Sequence, residues 1–320
     1  MTDSSSPVFA GIDVSSEKLD LGILPSRRTS SFAYDDSGIA ALCSELSTLK
    51  PALIVIEASG GYQRRIGSAL MQAGLSVSIV NPRQVRDFAR GIGQLAKTDS
   101  VDALVLARFA QQVQPRIQPL PSKEEQLLQE LVARRQQLTI MRTAETNRLK
   151  QAVGKPARRS IEAVIAVLDK ELSKIDTGLD DIIQSNERWK QIDAILQSIP
   201  GVGPATSHQL IALLPELGSL SRQEVAALAG LAPYAHESGK FKGQRSIWGG
   251  RASVRCALYM AAVTARRCNP IIKPFSQRLE ALHKPFKVVI TACMRKLLIL
   301  INALVKSNSA WSPKCTAQNA

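Results

Sequence analysis

Two apolar, β-rich runs that each end on a carboxylate constrain this chain more than any other feature. Val8-Phe-Ala-Gly-Ile-Asp13 reads as a buried first strand, and the alternating stretch Leu19 to Leu24 supplies its hairpin partner. The second run, Ala52-Leu-Ile-Val-Ile-Glu57, stops at Ser59-Gly60-Gly61, so its carboxylate protrudes at a strand end. Around them, strand-like segments (Ser30 to Tyr34, Ser76 to Val80) alternate with helix-like ones (Ile39 to Leu49, Tyr62 to Gln72, then helices through Gln112). This pattern predicts an α/β domain. Pro115, Pro119 and Pro121 forbid a continuous helix and set a boundary near residue 120.

Asp99 and Asp102 lie three apart at the start of an apolar-periodic helix, Thr98 to Gln112, so both project from one face. With Asp13 and Glu57 they sit where an RNase H-type fold gathers carboxylates around divalent metal. Mg²⁺ takes oxygen ligands in octahedral geometry and leaves positions for water or phosphate oxygens. Two such ions about 4 Å apart can clamp a phosphodiester from both sides. Each residue has a plainer reading alone, Asp99 as a helix-start residue favoured by the dipole and Asp102 as a solvated charge. Their joint placement points to a metal site acting on nucleic acid.

Composition agrees with a polyanionic partner. The 320 residues suffice for two domains, and 41 basic against 27 acidic residues give a net charge of +14. The charge is uneven: Ser221 to Lys306 carries 15 Lys or Arg and 3 Glu, whereas Pro121 to Pro200 carries 13 basic and 12 acidic residues. Five scattered cysteines without CxxC spacing, beside three histidines, argue against a zinc site or a disulfide framework. The polar N-terminus lacks a signal pattern, and the apolar run Leu297 to Val305 is too short to span a bilayer. A cytoplasmic protein, nucleoid-associated during activity and without a membrane partner, is the expectation.

From Glu124 to about Ile195 apolar positions recur at helical spacing, with Gly154-Lys155-Pro156 breaking the pattern into two long helices. Either an antiparallel hairpin or coiled-coil arm, or a packed bundle, satisfies it, and both suit self-association. Downstream, Ile195-Leu-Gln-Ser-Ile-Pro200-Gly-Val-Gly203-Pro204 precedes a helix from Ala205 to Leu214 and resembles a helix-hairpin-helix. Gly201 and Gly203 would let backbone amides approach a phosphate there, although such turns also serve as packing corners. Next comes a glycine-rich basic segment in which Ser238 is surrounded by Lys240, Lys242, Arg245, Arg251 and Arg255. A serine hydroxyl attacks phosphorus if cations stabilise the accumulating charge and a base takes its proton. A loop that merely grips nucleic acid has the same composition, Ser246 is a competing hydroxyl, and His236 is the nearest candidate base.

The segments Gly11-Ile-Asp13-Val-Ser, Glu57-Ala-Ser-Gly-Gly-Tyr62, Asn81-Pro-Arg-Gln-Val85, Lys97-Thr-Asp99-Ser-Val-Asp102-Ala103, Pro200-Gly-Val-Gly203 and Ala232-Pro233 through Gly249-Gly250-Arg251 occur in this order. Together they resemble the DEDD-type transposases of the insertion-sequence one-hundred-and-ten family, over residues 8 to about 290. The resemblance implies a RuvC-like domain (8–120) whose Asp13, Glu57, Asp99 and Asp102 bind Mg²⁺. A coiled-coil arm (121–194), a mostly helical transposase domain (195–306) with a serine nucleophile mapping to Ser238, and a tail (307–320) would follow. It further implies a tetramer with composite active sites, guided to donor and target DNA by a structured bridge RNA. Lys240, Lys242, Arg245, Arg251 and Arg255 are then candidate phosphate contacts. The absence of a GxxxxGK[ST] loop suits chemistry that conserves phosphodiester energy. Two rivals share these features: a junction endonuclease in which water attacks, and a non-catalytic nucleic-acid scaffold.

Overall fold

The computed structural model describes residues 6–312 except 59, 95–98, 118, 120, 236, 239, 240 and 244, and describes no side chains at 99, 100, 241 and 242. The Asp99 carboxylate, His236, Lys240 and the Lys242 side chain therefore lie outside the described residues. The chain divides into two compact units, Met1–Ser122 and Lys123–Ala320.

The first unit is a mixed sheet with helices on both faces. Its elements are β1 (Phe9–Val14), β2 (Lys18–Leu24), β3 (Arg28–Ala33), α1 (Asp36–Leu49), β4 (Leu53–Glu57), α2 (Gln63–Gln72), β5 (Val77–Val80), α3 (Pro82–Gly91) and α4 (Asp99–Val113). The strand order is β3-β2-β1-β4-β5; β1, β2 and β3 pair antiparallel, and β4 and β5 continue parallel to β1. Strand alternation sorts the core. Ala10, Ile12, Ile54 and Ile56 join Leu42, Leu46, Ile66 and Leu70 of α1 and α2 on one face, whereas Phe9, Leu53 and Val55 join Leu106, Phe109 and Ala110 of α4 on the other. Each fully buried Leu or Ile here contributes about 1.5–3 kcal/mol.

One register pair sets how α4 lies. Gly11 of β1 is opposite Gly22 of β2, and a Cβ on Gly11 would sit 2.3 Å from the Ala103 carbonyl oxygen and the Ala107 nitrogen. On Gly22 it would sit 2.6 Å from the Ala103 carbonyl carbon. The helix backbone thus rests directly on the hairpin. Because Ala103 lies over Gly11 while Ala110 joins Phe9, α4 runs antiparallel to β1 and its first turn overlies the strand's carboxyl end.

The second unit is mostly helical: α5 (Lys123–Gln151), α6 (Lys155–Ser185), α7 (Glu187–Gln197), α8 (Pro204–Leu213), α9 (Arg222–Leu228), α10 (Ala252–Cys268), α11 (Ile272–Ala281) and α12 (Phe286–Lys306). Between α9 and α10 lie four two-residue strands, β6 (Pro233–Tyr234), β7 (Glu237–Ser238), β8 (Phe241–Lys242) and β9 (Ser246–Ile247). Gly154 caps α6 with Pro156 in its first turn, and the Arg158 guanidinium donates to the Leu149 and Ala152 carbonyls, both at 3.1 Å, closing the end of α5. Arg135 pairs with Asp176 at 2.5 Å and Arg142 pairs with Asp169. Partners that climb α5 as they descend α6 make the pair antiparallel. The base of this hairpin, Leu128, Val132, Leu179 and Ile183, belongs to the same core as α7 to α12.

One sequence expectation changes here. Leu297 to Val305 was expected as a short apolar run; it is the end of α12, which by length and composition could cross a membrane. Half of that apolar window is buried, with Val289, Cys293, Leu297 and Ile301 in the unit's core. Within the expected tail, 307–320, Trp311 packs on the core and its amide donates to Ser198 Oγ at 2.8 Å. Its end, 313–320, lies outside the described residues.

Candidate active site

The sheet brings two of the expected carboxylates side by side. Ile12 pairs with Ile56 across the parallel β1–β4 ladder, so the next residues, Asp13 and Glu57, are neighbours on the face that α4 covers. Both are half-buried, and Asp13 Oδ1 accepts from the Val14 amide at 3.0 Å. Asp102, also half-buried, lies in the first turn of α4, which overlies the same strand end. Among the described residues, no three His, Cys, Asp or Glu side chains close into a metal-holding group, and the Asp99 carboxylate is outside them. The donor set itself is all oxygen, the chemistry a hard cation such as Mg²⁺ takes and zinc does not prefer.

A further carboxylate belongs to this neighbourhood. Asp20 pairs with Asp13 across the β1–β2 hairpin, is largely buried, and meets Lys18 Nζ at 3.2 Å. The hairpin register made it findable: once Leu19–Leu24 is the partner of Val8–Asp13, a short turn puts Asp20 opposite Asp13.

Ser238 lies on a ribbon. It is exposed on β7, opposite Phe241 of β8, while Ser246 is exposed on β9, opposite Tyr234. Glu237 precedes the serine and pairs with Arg245 at 3.6 Å, both side chains remaining largely solvated. Arg245 is thus the one expected phosphate contact from this ribbon whose side chain is described.

Arg251 and Arg255, expected as candidate phosphate contacts, are engaged within the second unit. Arg251 donates to both oxygens of Glu216, at 2.6 and 2.7 Å, and to the Leu213 carbonyl at 2.9 Å. Burial opposes ionisation of Glu216, but the Arg251 hydrogen bonds and charge outweigh it and hold the carboxyl below its ordinary value. Arg255 Nη1 donates to the Gly249 carbonyl at 2.5 Å and the Ala229 carbonyl at 3.3 Å. Leu213 ends α8 and Ala229 follows α9, so the two guanidiniums supply donors that helix C-termini lack. They brace the ends of the ribbon.

The glycine turn before α8 also has a packing role. Gly201 has φ +103° and is half-buried; a Cβ there would come within 2.7 Å of the Ala265 backbone on α10. Asn269 Nδ2 donates to the Pro200 carbonyl at 3.0 Å from the same side. Gly203, in contrast, is exposed at the N-cap of α8 with open space around it, so phosphate access is geometrically available at Gly203 rather than Gly201.

The comparisons fit both units. A DEDD-type IS110 transposase model matches residues 10–155, and a model described as transposase of the IS116/IS110/IS902 family matches residues 193–277. The pilin gene-inverting protein of Moraxella lacunata is 29% identical over 82% of each chain. The transposase for insertion sequence element IS1111A of Coxiella burnetii is 25% identical over 62% of each. A probable family 20 transposase of Pseudomonas aeruginosa is 24% identical, over 83% of this chain and 87% of its own.

Proposed function

Because the chain belongs to the IS116/IS110/IS902 transposase family and is therefore a DNA-recombining enzyme, we propose that it cuts and rejoins DNA through a phosphoserine intermediate on Ser238. In this reading Asp13, Glu57, Asp99 and Asp102 hold Mg²⁺ in an RNase H-like, RuvC-type domain, and a bridge RNA selects donor and target DNA. The observation that carries it is the strand register, which sets Asp13 beside Glu57 beneath the first turn of α4. The five-strand order, antiparallel β1 to β3 continued by parallel β4 and β5, supports the RNase H-like assignment.

Bound Mg²⁺ would supply charge stabilisation at the non-bridging phosphate oxygens. Ser238 Oγ bonds to phosphorus as the bond from phosphorus to a sugar oxygen breaks; the serine proton passes to a base or water, and the sugar oxygen leaves as a hydroxyl. Attack by a hydroxyl of another DNA end reverses the sequence and restores the serine. Arg245, with Lys240 and Lys242, would contact the phosphate, while Arg251 and Arg255 hold the ribbon's ends through Glu216 and the helix carbonyls. The inversion named in the Moraxella relatives is a rejoining reaction, which favours strand exchange over cutting by water.

Exposed Ile140 and Met141 on α5 and Val164 and Val167 on α6 support assembly through the arm, with a tetramer the expected product. The organisation proposed is a metal domain at 8–120, an arm at 121–194 and a serine domain at 195–306. The test uses the full chain, Mg²⁺, the element's noncoding RNA and DNA carrying the element ends, followed by denaturing electrophoresis. Wild type and Ser246→Ala should give a covalent protein–DNA band and Ser238→Ala none. A band from Ser238→Ala, or none from wild type under conditions in which DNA is cut, overturns the serine mechanism.

A further inference from the structure

The carboxylate end of the first unit carries a second feature, an aromatic pair in a chain that is only 4% aromatic. β3 runs parallel to β1, so Tyr34, just past it, lies at the same sheet end as Asp13; its amide donates to the Glu17 carbonyl, in the turn after β1, at 2.9 Å. Tyr62 reaches that end from β4. Gly60 and Gly61, with φ +57° and +105°, turn the chain after Glu57, in a conformation that disfavours other residues. The two rings meet edge to face, with centroids 5.7 Å apart and planes at 89°. Tyr34 Oη donates to the Tyr62 carbonyl at 2.6 Å, and the Arg65 guanidinium, paired with Asp36, lies 5.8 Å over the Tyr34 ring. Burial, with the nearby Tyr62, raises the Tyr34 phenol pKa against Arg65, so Tyr34 remains a donor.

The pair is asymmetric. Tyr34 is consumed by these contacts, whereas Tyr62 remains 45% exposed and its ring is already oriented by its partner. An exposed aromatic fixed before binding loses little side-chain freedom when a ligand covers it. Exposed Arg64 and Arg65 follow after Gln63 and bring positive charge to this end of the sheet, that of Arg65 shared with Asp36. Flat, amphipathic and beside cations, this surface matches a nucleobase with its attached phosphate. A base inside a duplex has no free face to offer, so the ligand is unpaired.

We propose that Tyr62, braced by Tyr34, is a stacking platform that holds an unpaired nucleobase of a single-stranded nucleic acid at the Asp13–Glu57 end of the sheet. Relative to the proposed function, on which it rests only for nucleic acid being the substrate, it adds that the strand is locally unpaired at this end of the sheet.

The test titrates the full chain, in EDTA at low salt, with a short single strand carrying 2-aminopurine. DNA and RNA of one sequence form two arms and the paired duplex a third. Wild type should quench the fluorescence of at least one single strand. Tyr62→Leu, which keeps an apolar side chain and removes the ring, should weaken that binding by about 5- to 150-fold, leave duplex binding within about twofold, and keep the wild-type melting profile. Tyr62→Phe should bind like wild type, and Tyr62→Trp should bind more tightly. A loss confined to DNA or to RNA identifies the strand; a loss on both supports a platform that accepts either. Unchanged single-strand binding by Tyr62→Leu, an equal loss on duplex, or, should that variant unfold, no tightening by Tyr62→Trp, overturns the proposal. Because no cutting is required, failure of the covalent-adduct experiment leaves this result standing, and the converse also holds.

Discussion

The two regions to which the proposed chemistry is assigned are built in opposite ways. The carboxylate end is made by a five-stranded sheet sandwiched between amphipathic helices, so Asp13 and Glu57 inherit their positions from Ile12 and Ile56, which are fully buried. The serine ribbon has strands of only two residues and an exposed nucleophile candidate, and it is held at its ends by arginine contacts. Position in the first region follows from packing, and in the second from a few charged hydrogen bonds. Damage should therefore propagate differently: core changes should disable the carboxylates through stability, and single polar changes should disable the ribbon through geometry.

The largest expected effect tests the chemistry without the packing. Asp13→Asn and Glu57→Gln are isosteric and should each reduce strand exchange by at least about 100-fold, measured as recombinant DNA per hour. They should leave oligonucleotide binding in EDTA and the melting temperature near wild type. Retained recombination in either variant would remove that carboxylate from the mechanism.

Packing is tested next. Gly11→Ala places a methyl group against the Ala103 and Ala107 backbone of α4 and should destabilise the first unit by about 3 kcal/mol, read from denaturant unfolding. Gly203→Ala, with open space around it, should be nearly silent in the same measurement.

The ribbon's brace carries a pH signature. Glu216 has a folded-state pKa below its ordinary 4.5, so its pairing with Arg251 stabilises the protein above that pH and is lost as pH falls through the folded value. Glu216→Gln should cost about 1–2 kcal/mol at pH 7, modest because solvent reaches both side chains. Thermal melts should show the gap from wild type closing as the pH falls below 4.5, and a gap that widens on acidification would contradict the assignment. Smallest of all, a double-mutant cycle on Arg135 and Asp176 of the arm should give a coupling below about 1 kcal/mol that shrinks with added salt.

Legibility in the sequence followed the same division. β1 and β4 are readable because runs of β-branched and apolar residues each lead into a carboxylate, and the α5–α6 turn because Gly154 and Pro156 punctuate it. The braces were not: Arg251 finds Glu216 across 35 positions, and no local pattern separates a guanidinium bound to a helix carbonyl from one awaiting phosphate. Two-residue strands lie below any periodicity, so β7 and β8 read only as a glycine-rich loop. Asp20 is presented by a legible hairpin, but a carboxylate gains meaning only from the residue it faces.

Gly11 and Gly22 together form a notch in the sheet, two residues without side chains where the backbone of α4 seats. A seated helix has a fixed index. Deleting or inserting one residue between Asp102 and Ala107 would shift the helix start by about 1.5 Å along its axis and rotate it by roughly 100°, since each helical residue carries that rise and turn. Asp102 would then leave the strand end while the strand pairings of the sheet remained. Chain length in this segment is therefore under tighter control than side-chain identity, and the tolerance for a gap should fall to zero at Ala103.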